Sequence, residues 1–510
     1  MESMNDTARG INRQEMFAEV QEVIDFLQQS YREHRPVHEV ESGLWGWMLQ
    51  LGRRLLGAFF GLYGDGDQGQ VLVLVLGDGR QVRRLEEPQS RSYQSPFGAF
   101  DLTRVVYGSR EGQKIAAIPF DESLQLPKSK FSYLLQDWSQ ALEVQMPFAQ
   151  VSATLERILG FKQSVHSLQR SQRAAAQEVA AFWQAQPVPP PAEEGALVVC
   201  TADGKGVPMR GLAPQTCPGA GSTQKGVRPG TKKMALLGAV YTINPFPRTP
   251  QEVLNALFGE PRQAPEPASS RPKPCVKRVR ACLQRDEADA TAPQTRTIFS
   301  WMAREVAQRN PGEEKPVVVL MDGQESLWNA AAEHLPGTEV TEILDLLHAT
   351  SYLWEAAHLF HPKASPEASR FVRTQTQRML SGHIATVIRS LRRQATDHSL
   401  KGKRLEDLQR ICGYFANNVH RIAYDQYLAH GFPIASGVIE GACRCVVKDR
   451  MERSGMRWVI DGAQAMLGLR SIQMSGLWDE FIQFRIQREC QRLYPFSAAN
   501  DDGFPLPIAA

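Results

Sequence analysis

Three acids differ from the other carboxylates of this 510-residue chain in what surrounds them. Asp203 closes the apolar run ALVVCTAD (196–203) and is followed by Gly-Lys-Gly; Asp322 closes PVVVLMD (316–322) and is followed by Gly323. Ligands of open α/β sheets gather beyond the carboxyl ends of strands, so two such acids share a site if their strands are neighbours. Gly204 and Gly323 remove side-chain bulk beside each carboxylate. Glu440 lies in SGVIEGACRCVVKDRMERSG (436–455), which reads as one helix closed by Gly455. At about 100° per residue, Arg444 and Lys448 fall on the stripe of Glu440. That stripe is either a metal-binding carboxylate flanked by phosphate-binding cations or a solvated salt-bridge ladder. Asp345 rivals Asp322 as the middle acid. It too ends a predicted strand, TEVTEILD (338–345), and it is equally suited to capping the helix that follows.

Hard divalent cations prefer oxygen ligands, and Mg2+ takes one or two carboxylates together with phosphate oxygens and water. Two such ions can activate an attacking oxygen and stabilise a leaving one in an in-line phosphoryl displacement. Asp203, Asp322 and Glu440, brought together from distant positions, could hold such a pair. No zinc spacing, Ser/His/Asp set or nucleotide cradle competes. DGKG lacks the upstream glycine and the following Ser/Thr of a phosphate loop.

The elements that must position these acids follow from composition and periodicity. QPVPPPAEE (186–194) has the composition of a linker. Before it, residues 1–136 read as an α+β region: helix over 13–60, a strand pair in QVLVLVLG and RQVRRLEE, then an irregular Gly/Ser-rich stretch to about Pro127. Residues 137–185 return to helix. A break at Leu159-Gly160-Phe161 gives either a helix-turn-helix whose second helix offers Ser164, His166, Gln169 and Arg170 to base edges, or a packing hairpin. Beyond the linker, strands and helices alternate over 195–360, as in an α/β domain. CVKRVRACL (275–283) is a further strand, residues 361–432 are a helical insertion, residues 433–490 carry the Glu440 helix, and 491–510 form a tail.

Net charge is only +3, from 58 Lys+Arg against 55 Asp+Glu, but it is unevenly spread. Lys205, Arg210, Lys225, Arg228, Lys232 and Lys233 follow one another with no acid between; 271–285 and 370–404 are also basic, while residues 1–50 are acidic. Basic tracts around a phosphate-chemistry site fit DNA, with affinity that falls with salt. The Gly/Pro-rich loop 211–230 either lies along a DNA backbone or is a surface hairpin. No apolar run reaches the ~18 residues of a membrane span. MESMNDTARG lacks the features of a secretory signal. Eight cysteines without CxxC spacing are expected to be reduced thiols.

ADGKGVPM, VVLMDGQESLW, ILDLLHATSYLWEAA and SGVIEGACRCVVKDRMERSGMRW resemble the DDE transposases of bacterial insertion sequences, in particular the Kra-type family, over about Ala196–Ser475. The resemblance implies an RNase H-like catalytic domain with a helical insertion. Its catalytic and metal-binding triad would be Asp203, Asp322 and Glu440, with two Mg2+ ions for which Mn2+ can substitute. Asp345 and His348 resemble an accessory pair that assists DNA strand handling. The partners implied are double-stranded DNA, as terminal inverted repeats and target, and further copies of the chain in a homodimer or larger synaptic complex, in a cytoplasmic, nucleoid-associated bacterial protein. Lys205, Lys225, Arg228, Lys232, Lys233, Arg444, Lys448 and Arg457 are the expected DNA contacts. Trp458 either stacks on an unpaired base or packs in a core. A junction-resolvase-like nuclease and a non-catalytic DNA-binding descendant of a transposase are the alternative functions.

Overall fold

The computed structural model describes residues 13–67, 73–76, 79–110, 115–210, 232–259, 271–284, 294–335, 339–453 and 455–495. The chain divides into two compact units, Met1–Glu178 with Asp479–Ala510, and Val179–Trp478.

The first unit opens with helices α1 (Arg13–Arg32) and α2 (Val37–Tyr63). The single helix expected over 13–60 is broken because His34 takes a left-handed φ of 53° and Pro36 has no N–H to continue the ladder. Strands β1 (Val73–Val75) and β2 (Gln81–Arg84) pair antiparallel, as their patterning predicts. The stretch expected to be irregular instead holds β3 (Gln89–Ser95) and β4 (Gly98–Arg104), zipped over seven residue pairs across a Pro96-Phe97 turn, with β5 (Tyr107–Gly108) and β6 (Ile115–Ala117) beyond. QSRSYQS has few apolar positions because its face is only partly covered, so alternation did not betray it.

After the short α3 (Pro119–Ser123) come α4 (Tyr133–Glu143), α5 (Phe148–Leu159) and α6 (Val165–Ala176), packed around Leu135, Val151, Leu155 and Leu168. Gly160, at φ 74°, ends α5 in the left-handed conformation that suits glycine. Ser164 caps α6 by accepting from the Ser167 N–H, which leaves His166 and Arg170 exposed. The helical pattern expected over 137–185 is interrupted after Ala176.

The second unit begins with α7 (Val179–Ala185). The expected linker 186–194 lies inside this unit. Pro187 O accepts from Arg278, and the buried Glu194 carboxyl holds Arg309 at 2.5 Å and also pairs with Lys315. Then follow β7 (Leu197–Pro208), β8 (Lys232–Ile243), α8 (Pro250–Phe258), β9 (Cys275–Leu283), α9 (Gln294–Arg309), β10 (Val317–Met321), α10 (Glu325–His334) and β11 (Val340–Leu344). Strand β7 does not stop at Asp203 as expected; it runs on to Pro208, because β8 pairs with its whole length.

The five strands form one mixed sheet in the order β11-β10-β7-β8-β9, with β7, β8 and β9 antiparallel and β10 and β11 parallel to β7. Leu197–Cys200 of β7 and the whole of β10 are apolar at every position because both faces of the sheet are covered there. Val198, Cys200, Val317 and Val319 pack on α9 and α10. Val199, Val318, Leu320 and Ile343 face a layer built from α8, α11 (Leu346–Phe360), α12 (Pro366–Leu380), α13 (Ile384–Asp397), α14 (Lys403–Asn417) and α15 (Tyr424–Ala429).

Helix α16 (Gly437–Ala442) carries Glu440 and leads into a π-turn (Cys443–Lys448) and α17 (Asp449–Met451). Helix α18 (Ile460–Met474) packs on β9, and α19 (Trp478–Leu493) passes from Asp479 into the first unit. No helix of the described residues is long and apolar enough to cross a membrane.

Candidate metal centre

Strand register brings three acids to one level. Val198, Val199 and Cys200 of β7 pair with Val317, Val318 and Val319 of β10, a register that, continued, sets Asp203 beside Asp322. Strand β10 pairs with β11 from Val317↔Val340 to Met321↔Leu344, so the next residues are Asp322 and Asp345; the Asp345 N–H donates to Met321 O at 2.8 Å. Parallel strands in register point equivalent side chains to the same face. Here that is the face of Val199, Val318 and Leu320, under the helical layer.

Each carboxyl is held differently. Asp203 accepts the Gly204 N–H on Oδ1 at 2.6 Å and the Cys443 thiol on Oδ2 at 3.3 Å. Asp322 accepts the Gln324 N–H on Oδ1 at 3.0 Å, and its own carbonyl takes the Trp328 indole N–H at 2.7 Å. Asp345 is fully buried and caps α11: Oδ1 accepts from Leu347 N at 2.5 Å and His348 N at 3.2 Å. Its Oδ2 accepts the Ser436 N–H at 2.8 Å and the Ser436 hydroxyl. Glu440 is exposed, and its carboxyl takes no hydrogen bond from the described residues.

Crowding is visible in the acidities. Burial raises the Asp322 pKa above the usual carboxylate range; Asp203 and Asp345 push it the same way, against the Gln324 N–H and His348. Burial also raises that of Glu440, with Asp345 and Asp203 adding to it and His348 opposing. Asp203 and Asp345 thus disfavour ionisation of Asp322 and Glu440, a cost that a positive charge beside them would offset.

Asp345, His348 and Glu440 each offer a ligand atom within 4.8 Å of the other two, close enough to hold a metal ion. Capacity separates the acids further. A carboxylate has about four lone-pair sites, and Asp345 already accepts four donors. Asp203, Asp322 and Glu440 keep oxygens to spare. The donor set, mainly carboxylate oxygen with one imidazole, suits a hard divalent cation.

Asp345 therefore caps α11, and although it lies within reach of His348 and Glu440, the four donors it accepts already occupy its oxygens. Three residues that sequence reasoning missed complete the site. Ser436 immediately precedes α16. Cys443 lies three positions after Glu440, a spacing that shares a helical face and could have been read as such. Tyr414 of α14 has no sequence signal. The edge of its ring lies where a Cβ on Gly323 would fall, with Cζ 2.9 Å from that position, and its hydroxyl is buried with no hydrogen-bond partner among the described residues.

The expected cationic stripe is not formed as an α-helix would form it. The π-turn over Cys443–Lys448 replaces the four-residue repeat between Glu440 and Lys448, and Arg444 approaches Asp449 at 3.7 Å. Arg470 of α18 supports the turn, donating from Nε to Val446 O at 2.9 Å and from Nη2 to Cys445 O.

The other expected DNA contacts fall in different places. Lys448 and Arg457 are exposed and Lys205 is half-buried, while Lys232 pairs with Glu452 at 2.6 Å. Lys233 is only 7% exposed, and Lys225 and Arg228 lie outside the described residues. Trp458 is 6% exposed, donates its indole N–H to Met451 O at 3.1 Å and stacks under Arg450. It packs in a core and presents no face to a base. The seven described cysteines are free thiols. The chain matches no protein-family model and no curated protein.

Proposed function

We propose that this protein is a DDE-type transposase, with an RNase H-like domain that hydrolyses phosphodiester bonds at the ends of an insertion sequence and joins the freed 3′ ends to target DNA. One observation carries the reading. Asp203, Asp322 and Asp345 stand level on three adjacent strands, and Glu440 and His348 reach the same place. An antiparallel meander, β7–β9, extended by two parallel strands on the side of β7, supports the RNase H-like assignment.

Asp203, Asp322 and Glu440 would hold the divalent ions, Mg2+ with Mn2+ as substitute. Bound there, the ions supply charge neutralisation at the phosphate and a more acidic attacking oxygen. The protein's own part is positioning. Gly204 N–H and the Cys443 thiol aim the two oxygens of Asp203. Asp345 fixes the start of α11 and, through Ser436, the start of α16. Lys205, Lys448 and Arg457 are the cations for the DNA backbone, and the exposed His166 and Arg170 of α6 are available to a groove.

The test is cleavage of a duplex carrying the element's terminal repeat, with Mg2+. Phosphoryl transfer rests on positioning and charge neutralisation. Asp203→Asn and Glu440→Gln should therefore each lower cleavage at least about a hundredfold while DNA binding persists, in line with the loss of one electrostatic group. Retained cleavage refutes the site. Cleavage without joining makes the chain a structure-selective nuclease, and binding with no Mg2+-dependent product makes it a DNA-binding protein only. Short inverted repeats flanking the reading frame would support transposition independently.

A further inference from the structure

Tyr414 belongs to the helical layer, yet its hydroxyl lies at the acid cluster with nothing to answer it. The phenol oxygen is shut off from solvent and has no hydrogen-bond partner among the described residues. Buried tyrosine hydroxyls are normally paired, because an unmet donor forfeits the hydrogen bond it made to water.

The ring is held firmly enough that the hydroxyl cannot simply turn away. It stacks on Tyr352 of α11 with centroids 3.8 Å apart and planes 16° from parallel, and Phe415 meets it edge-on at 5.5 Å. Arg410 lies over the Tyr352 ring at 5.5 Å and is itself fixed by Glu355 at 2.6 Å. The edge of the Tyr414 ring fills the space that a side chain at 323 would need, so the approach to Asp322 depends on Gly323.

Two of the acids act on this hydroxyl. Burial raises the Tyr414 pKa, and the charges of Tyr352, Asp322 and Asp345 raise it further. A phenol is protonated at neutral pH in any case, so the group is a donor and not a base. Neither acid takes its hydrogen. Asp345 already accepts four donors, and Asp322 is turned to the Gln324 N–H.

We infer that Tyr414 is a positioning residue of the metal centre, whose hydroxyl donates to an oxygen acceptor that arrives with the divalent cation. The inference rests on reading the acids as a cation site. Hard cations keep water or phosphate oxygens on the side that carboxylates leave open. Both present the same chemistry to a phenol, an oxygen lone pair beside positive charge. Tyr414 would fix the direction of that oxygen, while the stack on Tyr352 fixes Tyr414.

Tyr414→Phe keeps the ring and removes only the hydroxyl. Mn2+ titration of the full chain, read by electron paramagnetic resonance of the free ion, separates the two sources. If the acceptor is water, the variant should raise the Mn2+ dissociation constant about tenfold, as for a hydrogen bond to a charged partner. If it is a phosphate oxygen, Mn2+ affinity should hold while kcat for Mg2+-dependent cleavage of the terminal-repeat duplex falls about tenfold, with KM little changed. Without cations the variant should melt no lower than the natural chain, since it loses an unmet donor; a purely structural hydroxyl would predict a lower melting temperature. A variant that binds Mn2+ and cleaves like the natural chain, or that melts lower without cations, overturns the inference. If the natural chain binds Mn2+ but cleaves nothing, transposition fails and Mn2+ affinity alone decides for Tyr414. A natural chain that binds no Mn2+ removes the cation site, and this role of Tyr414 with it.

Discussion

Asp345 shows how one side chain can serve a site without being free to act in it. Its two oxygens accept three backbone N–H groups and one hydroxyl in a fully buried position. Removing one donor should therefore cost stability as well as geometry. Ser436→Ala should lower unfolding free energy by about 1–3 kcal/mol, the cost of leaving a buried acceptor short of a partner. Asp345→Asn should cost more, because its amide would point N–H groups at N–H groups. Denaturant titration of both variants checks this, and an Asn variant as stable as the natural chain would show that the carboxylate is not needed there. At this scale the sequence was most informative where an apolar run meets an acid: β10 and β11 end just before Asp322 and Asp345, and at Asp203 the two-sided burial of β7 ends although the strand runs on. It was silent on Tyr414, whose placement depends on how α14 packs over Gly323 rather than on any local pattern.

Among the elements, the segment 437–451 matters most, because its π-turn sets where the side chains beyond Glu440 point. A π-turn opens the helix by one residue and weakens its hydrogen bonding, and such turns occur often at functional sites. Arg470, buried, supplies donors to two carbonyls of that turn; burial lowers its pKa to about 10, still well above neutrality. Arg470→Lys should not replace it, since an ammonium cannot present the guanidinium's planar fork. Both Arg470→Lys and Arg470→Met should lower cleavage more than tenfold with a smaller effect on DNA affinity, while thermal unfolding shifts down. Unchanged cleavage in the Met variant would mean that the turn holds without the clamp. Helix periodicity predicted this segment as continuous because nothing in ACRCVVKD breaks a helix. The π-turn lies against α18 and takes the Arg470 donors, a tertiary setting that local periodicity does not record. The polar hairpin β3–β4 escaped for the opposite reason, having too little buried face to leave a periodic trace.

At the scale of the whole molecule, the alternation of strands and helices, the helical layer and the basic tracts were legible from sequence, because each is written in local patterning. The unit boundary at Glu178/Val179 was not, since it depends on which segments pack together. Charge crowding has a consequence for the entire fold. The pKa values of Asp322 and Glu440 are raised in the folded chain, so their protonated forms favour folding below the unfolded carboxylate range, and that contribution is lost as pH rises through the raised values. Without divalent cations, thermal stability should decline from pH 4 towards 7 in this part of its profile. Mg2+ or Mn2+ at a hundredfold excess over its dissociation constant should restore about 2.7 kcal/mol at neutral pH and little at acid pH. Asp322→Asn should flatten both trends. A profile unaltered by cation or by the Asn variant would mean that the acids are not close enough to share an ion.

The bond between Asp345 and Ser436 joins residues 91 positions apart, and nearly all of the intervening chain is the helical layer α11–α15. Closing so long a loop is slow unless the intervening chain is already compact. During synthesis, Asp203, Asp322 and Asp345 emerge well before Glu440, and the glutamate can join them only once α11–α15 have packed. The order of the chain therefore leaves the acid cluster incomplete until the segment that carries Glu440 has been made.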